Sequence, residues 1–368
     1  MKILHAGNMA NLAYVICRQL QRNGINVELI MDSNPHKGSD PLRFDPELKN
    51  KYPNWVHFFN KKKSNWKIDL IWKMRERKYD IIHSYVEFPI FASFTNKPFI
   101  AHTQGSDFRE LAKSKSLKGI LLRRAYKKAK VILFFQPDHL PIFTELKLKN
   151  GIFLPPLWDT SFFTSKQIDR DDSKFIIFHP ANLEFRLKGN EKLIEGFSKF
   201  VTENKNSELI IVDRGADSEN VHNLVKKYNI QNFVKFVKGP LNSKELLAYY
   251  NSSDVIADQF ELGALGSIGW EAFSCKKPLL AYVNQVQYEN VYGESPPVAN
   301  ASNAIEVKNM LEILKEKKFS KTLGEKGYEW IIKYHSPQIF TKKIIKIYEL
   351  ILDRKSIDVI RKELSEIT

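Results

Sequence analysis

The chain has 368 residues, 43% of them hydrophobic and 12% aromatic, with 57 Lys and Arg against 42 Asp and Glu. This is enough apolar material for two or three cores and excludes wholesale disorder. No run of about 18 uncharged apolar residues offers a membrane span, and two distant cysteines, Cys17 and Cys275, exclude a disulfide framework or a Cys-built zinc site.

The opening MKILHAG reads as a strand, Gly7-Asn8 as a turn, and NLAYVICRQLQRNG as a helix ending at Gly24, followed by the strand NVELIMD. This order opens a doubly wound sheet. No signal-peptide pattern precedes it, so a reduced, cytoplasmic protein is expected. A basic run, Lys61–Lys63 with Lys67, comes next, and then the apolar runs YDIIHSY and KPFIAHTQG. The segment Lys113–Lys130 has apolar residues at Leu117, Ile120, Leu121 and Ala125 and basic residues around them, including Arg123, Arg124, Lys127 and Lys128. It reads as a basic amphipathic helix. AKVILFF and GIFLPPL follow. Such short runs without polar alternation are expected of parallel strands covered on both faces.

The pattern restarts after the polar stretch Lys166–Lys174. KFIIFHP, SELIIVD, NFVKFVKG, DVIADQF and KPLLAYV alternate with helical segments, and helices fill the chain from Ala304 onward. The expectation is α/β architecture with two Rossmann-like doubly wound domains facing a cleft: residues 1–165, residues 166–335, and helices over 336–368. The charge is split between the halves. Residues 1–165 hold 27 Lys and Arg against 14 Asp and Glu, and residues 166–368 hold 30 against 28. A basic helix in the first half suits an anionic surface, although a solvated helix face would read the same way.

Ligands of open parallel sheets bind beyond the carboxyl ends of the strands, so the loops there carry the candidates. After DVIADQF, Gly263, Gly266 and Gly269 precede a helix beginning near Ser267. Its N-terminus could take a diphosphate, and Glu271 could accept hydrogen bonds from ribose hydroxyls. A tight turn and a dipole-matching Glu would look similar. After KFIIFHP, Arg186 and Lys188 beside Gly189 could neutralise a diphosphate leaving group. In the first half, His102, Gln104 and Asp107 follow KPFIA, with Gly7 and Asn8 nearer the cleft floor. A buried strand histidine and an N-capping Asp are the competing readings.

DQFELGALGSIGWEAFSCKKPLLAY, HPANLEFRLKGNEKLI and HTQGSDFREL together resemble segments of the retaining GT-B glycosyltransferases of family 4, also called group 1. EKGYEWIIKYHSPQIFTKKIIKIYELIL resembles the family's C-terminal helices, the last of which returns to the first domain. Glu271 matches the family's ribose-binding Glu. The family's preceding Glu falls at Gly263, and its His at Gln104, so the sequence departs there. Lys188-Gly189 matches the phosphate-binding pair, and Arg186 stands later than the family's Arg.

The resemblance implies transfer of a sugar from a nucleoside diphosphate donor to a saccharide acceptor, with retention of configuration. No cofactor and no metal held by an Asp-x-Asp motif are expected. Catalytic roles fall on His102, Gln104, Asp107 and Lys188. Donor binding falls on Gly7, Asn8, Arg186, Lys188, Gly263, Gly266, Ser267 and Glu271. The basic helix suggests a lipid-linked or surface-polysaccharide acceptor at the inner face of an anionic membrane, and nucleic acid is not expected as a partner. A nucleotide-sugar 2-epimerase and a non-catalytic basic binding protein are the rivals.

Overall fold

The structure is a computed structural model that describes residues 1–168 and 173–367. The chain divides into two compact units: Met1–Leu157 together with the chain from His335 on, and Trp158–Tyr334.

The first unit holds a seven-stranded parallel sheet: β1 Lys2–Ala6, β2 Asn26–Asp32, β3 Val56–Phe59, β4 Ile81–Tyr85, β5 Phe99–His102, β6 Val131–Phe134 and β7 Gly151–Phe153, in the order β3-β2-β1-β4-β5-β6-β7. Every residue of β4, β5 and β6 is buried, which is why these segments read as continuous apolar runs. β3 has no counterpart among the apolar runs. It is an edge strand whose middle residues face solvent, so its pattern is diluted. The helix Leu12–Arg22 buries Ala13, Tyr14, Ile16, Cys17 and Leu20 on one stripe. The helix Pro337–Leu352 packs Phe340, Ile344, Ile347, Tyr348 and Ile351 into the same core. Pro337 at its first turn and the Ser336 hydroxyl, which accepts the Ile339 N–H, fix where it starts.

The second unit holds β8 Phe175–His179, β9 Ser207–Asp213, β10 Val234–Lys238, β11 Val255–Ala257, β12 Leu279–Ala281 and β13 Ala299–Asn300, all parallel, in the order β10-β9-β8-β11-β12-β13. β13 is a two-residue edge strand, too short to register in the sequence. In each sheet the order reverses once, between β1 and β4 and between β8 and β11. Those are the switch points beyond whose carboxyl ends ligands bind.

The units divide at Leu157 rather than at residue 165. Phe163, with Trp158 packed alongside, joins the second unit's core against Phe178 and Tyr250. The Lys166 N–H donates to Asn251 Oδ1 in the same unit. Of the polar stretch Lys166–Lys174, residues 169–172 lie outside the described residues.

The basic segment also differs from its sequence reading. The helix spans Leu117–Lys128 and buries Gly119, Leu122, Ala125 and Tyr126. Leu117, expected on the buried stripe, is 73% exposed. The cause is Gly119, which lets the helix press onto the preceding turn at Leu111 and Ser114, where any Cβ would collide. Arg123 is turned inward and donates to the carbonyls of Ala112 and Ser114, both at 2.6 Å. Arg124, Lys127 and Lys128 are exposed.

Candidate functional site

The second switch point gathers the strongest constellation. His179 ends β8 and is fully buried. Its Nδ1–H donates to the Ala257 carbonyl at 2.9 Å, and its Nε2 accepts from Asn190 Nδ2 at 2.8 Å. Burial holds this imidazole neutral, with its pKa lowered to about 4. Asn190 Oδ1 in turn accepts the Glu184 N–H at 2.7 Å. This chain of bonds ties the loop after β8 to its neighbour β11 and sets the short helix Phe185–Lys188 above the sheet edge. Gly189 follows with φ +61°, and a Cβ there would press on the backbone of Phe260. The Phe260 N–H donates to the Lys188 carbonyl at 2.7 Å. The glycine of the Lys-Gly pair is therefore required by close approach of two loops.

Lys188 reaches back over the sheet edge, its Nζ 3.8 Å from Oδ1 of Asp258. Asp258 directly follows β11 and is 1% exposed. Neither of its carboxylate oxygens has a hydrogen-bond partner among the described residues. Burial raises its pKa, and the Lys188 charge opposes the rise.

The loop from Asp258 to Gly266 is held by Gln259. Its Nε2 donates to the carbonyls of Ala264 and Tyr282, and its Oε1 accepts the N–H groups of Glu261 and Leu262. Gly263 has φ +67°, and its carbonyl accepts the Asn284 N–H at 2.9 Å. The Glu expected at this position in the resembled family would therefore be strained in the backbone. Gly266 precedes the helix Ser267–Ser274 without a side-chain cap, and Ser267 is exposed. The first N–H groups of that helix are oriented for an anion. On its second turn Glu271 accepts the Tyr250 hydroxyl at 2.6 Å. Burial raises the Glu271 carboxyl to about 7. The Tyr250 hydrogen bond opposes the rise, Asp258 adds to it, and Arg214 opposes it.

Lys188, Gly263, Gly266, Ser267 and Glu271 thus lie at one sheet edge. Arg186, on the same short helix as Lys188, is exposed. Asp258, Tyr250, His179 and Arg214 were not among the candidates. Arg214 follows β9 and is exposed, and its charge reaches Glu271. Its sequence signal was available: an Arg-Gly directly after the run SELIIVD.

The first unit uses its candidates differently. Gly7 has φ +90°, with the ring of Phe88 where a Cβ would stand. Asn8 Oδ1 accepts the Tyr14 N–H at 3.1 Å, and its Nδ2 donates to the Ser39 carbonyl at 2.8 Å. Asp107 is buried. Its Oδ1 accepts the N–H groups of Gln104 and Gly105 at 3.0 and 2.7 Å, and its Oδ2 accepts the Tyr126 hydroxyl at 3.1 Å. His102 is 2% exposed and joins a buried stack with His5, His83 and Tyr85, its Nδ1 3.0 Å from His83 Nε2. Of the three residues after KPFIA, Gln104 alone has a side-chain nitrogen, Nε2, with no partner among the described residues.

One Asp-x-Asp does occur in the chain, Asp169-Arg170-Asp171, and it lies outside the described residues. Among the described residues, no three His, Cys, Asp or Glu side chains gather as for a metal, and no helix is long and apolar enough to cross a membrane.

Residues 161–330 match the family model described as Glycosyl transferases group 1. No protein of curated function matches the sequence. Among solved structures, the chain is similar to a sucrose-phosphate synthase from Thermosynechococcus elongatus, with 16% identity, TM-score 0.70, and 96% of this chain and all of that one covered. It is similar to the Anabaena protein HepE in complex with UDP-glucose, with 14% identity, TM-score 0.71, and 95% and 99% covered. It is also similar to a glycosyltransferase from Rickettsia africae, with 16% identity, TM-score 0.69, and 95% and 98% covered. The fold is that of the GT-B glycosyltransferases.

Proposed function

We propose that this protein, a GT-B chain whose second unit carries a group 1 glycosyl transferase segment, moves a sugar from a nucleoside diphosphate donor to a saccharide acceptor with retention of configuration. The observation that carries the reading is the convergence of Lys188, Glu271 and the uncapped helix start at Gly266–Ser267 on the switch point of one sheet. A cation and free N–H groups suit a diphosphate, and a carboxylate suits ribose hydroxyls. The UDP-glucose held by the Anabaena relative supports a donor of this class.

In the reaction the bond from the anomeric carbon to the diphosphate oxygen breaks, and negative charge grows on the leaving phosphate. Lys188, Arg186 and the helix start stabilise it. The acceptor hydroxyl attacks the same face of the sugar, and its proton passes to a leaving phosphate oxygen. No protein carboxylate is required as a nucleophile and no divalent metal as an electrophile.

We place the acceptor, lipid-linked or part of a surface polysaccharide, at an anionic membrane that the first unit approaches. That unit holds 34 Lys and Arg against 18 Asp and Glu, and the second holds 23 against 24. On it the helices Trp66–Arg75, Pro89–Ala92 and Leu117–Lys128 adjoin in series. Exposed apolar side chains at Ile68, Trp72, Phe94 and Leu117 accompany exposed Arg124, Lys127 and Lys128. Aromatic and aliphatic side chains beside cations suit a headgroup region.

The test is incubation with UDP- and GDP-sugars in excess EDTA, reading nucleoside diphosphate release and thermal midpoint, with NMR of the product's anomeric configuration. Release without metal and retention are expected. If no nucleotide sugar is turned over and none raises the midpoint, the reading fails.

A further inference from the structure

On one face of the second sheet, Ile256 of β11, Phe178 of β8 and Val212 of β9 share a core with Tyr250 and Ala272, and Val237 of β10 packs against it. Side chains alternate across a strand, so the positions two residues on return to that face just past the carboxyl ends. They are Asp258, Pro180, Arg214 and Gly239. Asp258 is the carboxylate beneath Lys188. Arg214 is the one cation of this row.

The Arg214 side chain has a defined course. A Cβ at Gly239 would stand 3.1 Å from Arg214 Cδ and 3.3 Å from its Cβ, so the stem occupies the place that a side chain on the neighbouring strand would take. From there the guanidinium turns toward the end of β8, where Nη2 donates to the Pro180 carbonyl at 3.4 Å. That long bond is its only one among the described residues. A guanidinium carries five N–H groups, so most of its donors are left for a ligand.

A bound donor would lead to this guanidinium. Lys188 and the helix start at Gly266–Ser267 take the diphosphate near the end of β11, and Glu271 takes the ribose. The Glu271 carboxylate accepts the Tyr250 hydroxyl from the helix Ser243–Ser252, which connects β10 to β11, and the charges of Asp258 and Arg214 act on it. It therefore faces the β9 side of the switch point. In the sheet order β10-β9-β8-β11, a nucleotide running from β11 past Glu271 carries its base toward β9, where Arg214 stands. A guanidinium donates and cannot accept. It can pair with O4 of uracil or O6 of guanine, whereas cytosine and adenine carry an amino donor in that place.

We propose that Arg214 reads the base of the donor nucleotide and favours the oxo bases uracil and guanine over the amino bases cytosine and adenine. The proposal rests on the nucleotide-sugar reading above and adds the residue that selects the nucleotide. Arg214 takes no part in the bond that breaks.

Calorimetric titration of the full chain with UDP, CDP, GDP and ADP tests this, with Arg214→Ala, Arg214→Gln and Lys188→Ala beside the wild type. Ribose and diphosphate are the same in all four, so the ratios UDP to CDP and GDP to ADP isolate the base. In the wild type at least one ratio should favour the oxo base by about tenfold or more, the scale of one good base contact. Arg214→Ala should bring that ratio below about threefold. Arg214→Gln, whose amide can also accept from an amino group, should narrow it too, and it decides if the alanine variant misfolds. Lys188→Ala should weaken all four nucleotides and leave the ratio as it is. Thermal midpoints report folding. A wild-type ratio near one, or a wild-type ratio in a folded Arg214 variant, would overturn the proposal and leave the donor reading intact. Failure of all four nucleotides to bind the wild type would overturn both.

Discussion

Lys188 Nζ lies 3.8 Å from Oδ1 of Asp258, a buried carboxylate whose oxygens no hydrogen-bond donor meets among the described residues. A cation that waits for a diphosphate is thus partly answered by a charge beneath it. At an effective dielectric near 20, opposite charges at this distance attract by about 4 kcal/mol before desolvation is counted. Asp258 therefore competes with the phosphate for Lys188. Asp258→Asn should bind UDP or GDP severalfold more tightly, with a thermal midpoint no lower than that of the wild type. Calorimetry and thermal melting check both. Weaker binding would mean that Asp258 holds Lys188 in place instead of opposing its ligand.

Glu271 links donor binding to pH. Its carboxyl is raised to about 7 by burial, and only the ionised form can accept two ribose hydroxyls. Below that value, binding must first remove a proton. Donor affinity should rise from pH 6 to pH 8, with a slope approaching tenfold per unit on the acid side, and level off above. Glu271→Gln should bind more weakly at pH 8 and show a flat profile. A wild-type profile as flat as that of the variant would remove Glu271 from the ribose.

The first unit should be the acid-labile one. Burial lowers His5 and His102 to about 3 and His139 and His335 to about 4, and holds His83 well below the ordinary histidine value. All five lie in the first unit, and His179 is the sixth, in the second. A depressed folded pKa gives stability that is complete above the unfolded value near 6.5 and is lost as pH falls. Each proton taken up on unfolding contributes about 1.4 kcal/mol per pH unit, so five exhaust a typical domain stability of about 5–15 kcal/mol within one to three units. Glu271, raised instead of lowered, acts in the opposite sense on the second unit. Hydrogen exchange at pH 5 should show residues 1–157 losing protection before residues 175–330. The reverse order would contradict the assignment.

Membrane docking has a separate test. Sedimentation with vesicles of graded anionic lipid content should carry down the wild type at low salt. Screening should release it as the Debye length falls from about 10 Å at 0.1 M to about 3 Å at 1 M. Arg124→Glu with Lys127→Glu and Lys128→Glu should abolish binding, and Trp72→Ala should weaken it. Equal partition of all these proteins would make the basic helix a solvated face.

The strand alternation was legible because parallel strands are buried on both faces, and the chain marks them as apolar runs such as VILFF and FIIF. Lys188, Gly189 and Glu271 were legible as cation, glycine and carboxylate beside helix starts. Asp258 and Arg214 were not, because they come together only where separate strands end side by side, and Tyr250 was not, because it reaches Glu271 from the helix Ser243–Ser252. Gly119 shows the same limit from the packing side. A glycine on a helix looks neutral in a pattern, yet close approach there turns Leu117 outward and Arg123 inward. Asn8 and Asp107 carry side chains suited to chemistry but serve the backbone of their own turns.

The central claim is that the second unit's switch point stabilises the departing diphosphate, and Lys188→Ala measures it most directly. With the donor sugar that the wild type turns over, the variant should keep its fold and lose about 10²–10³ in kcat, the scale of one charge-stabilising donor, about 2.7–4 kcal/mol. An unchanged kcat/KM in a folded Lys188→Ala protein would contradict the account.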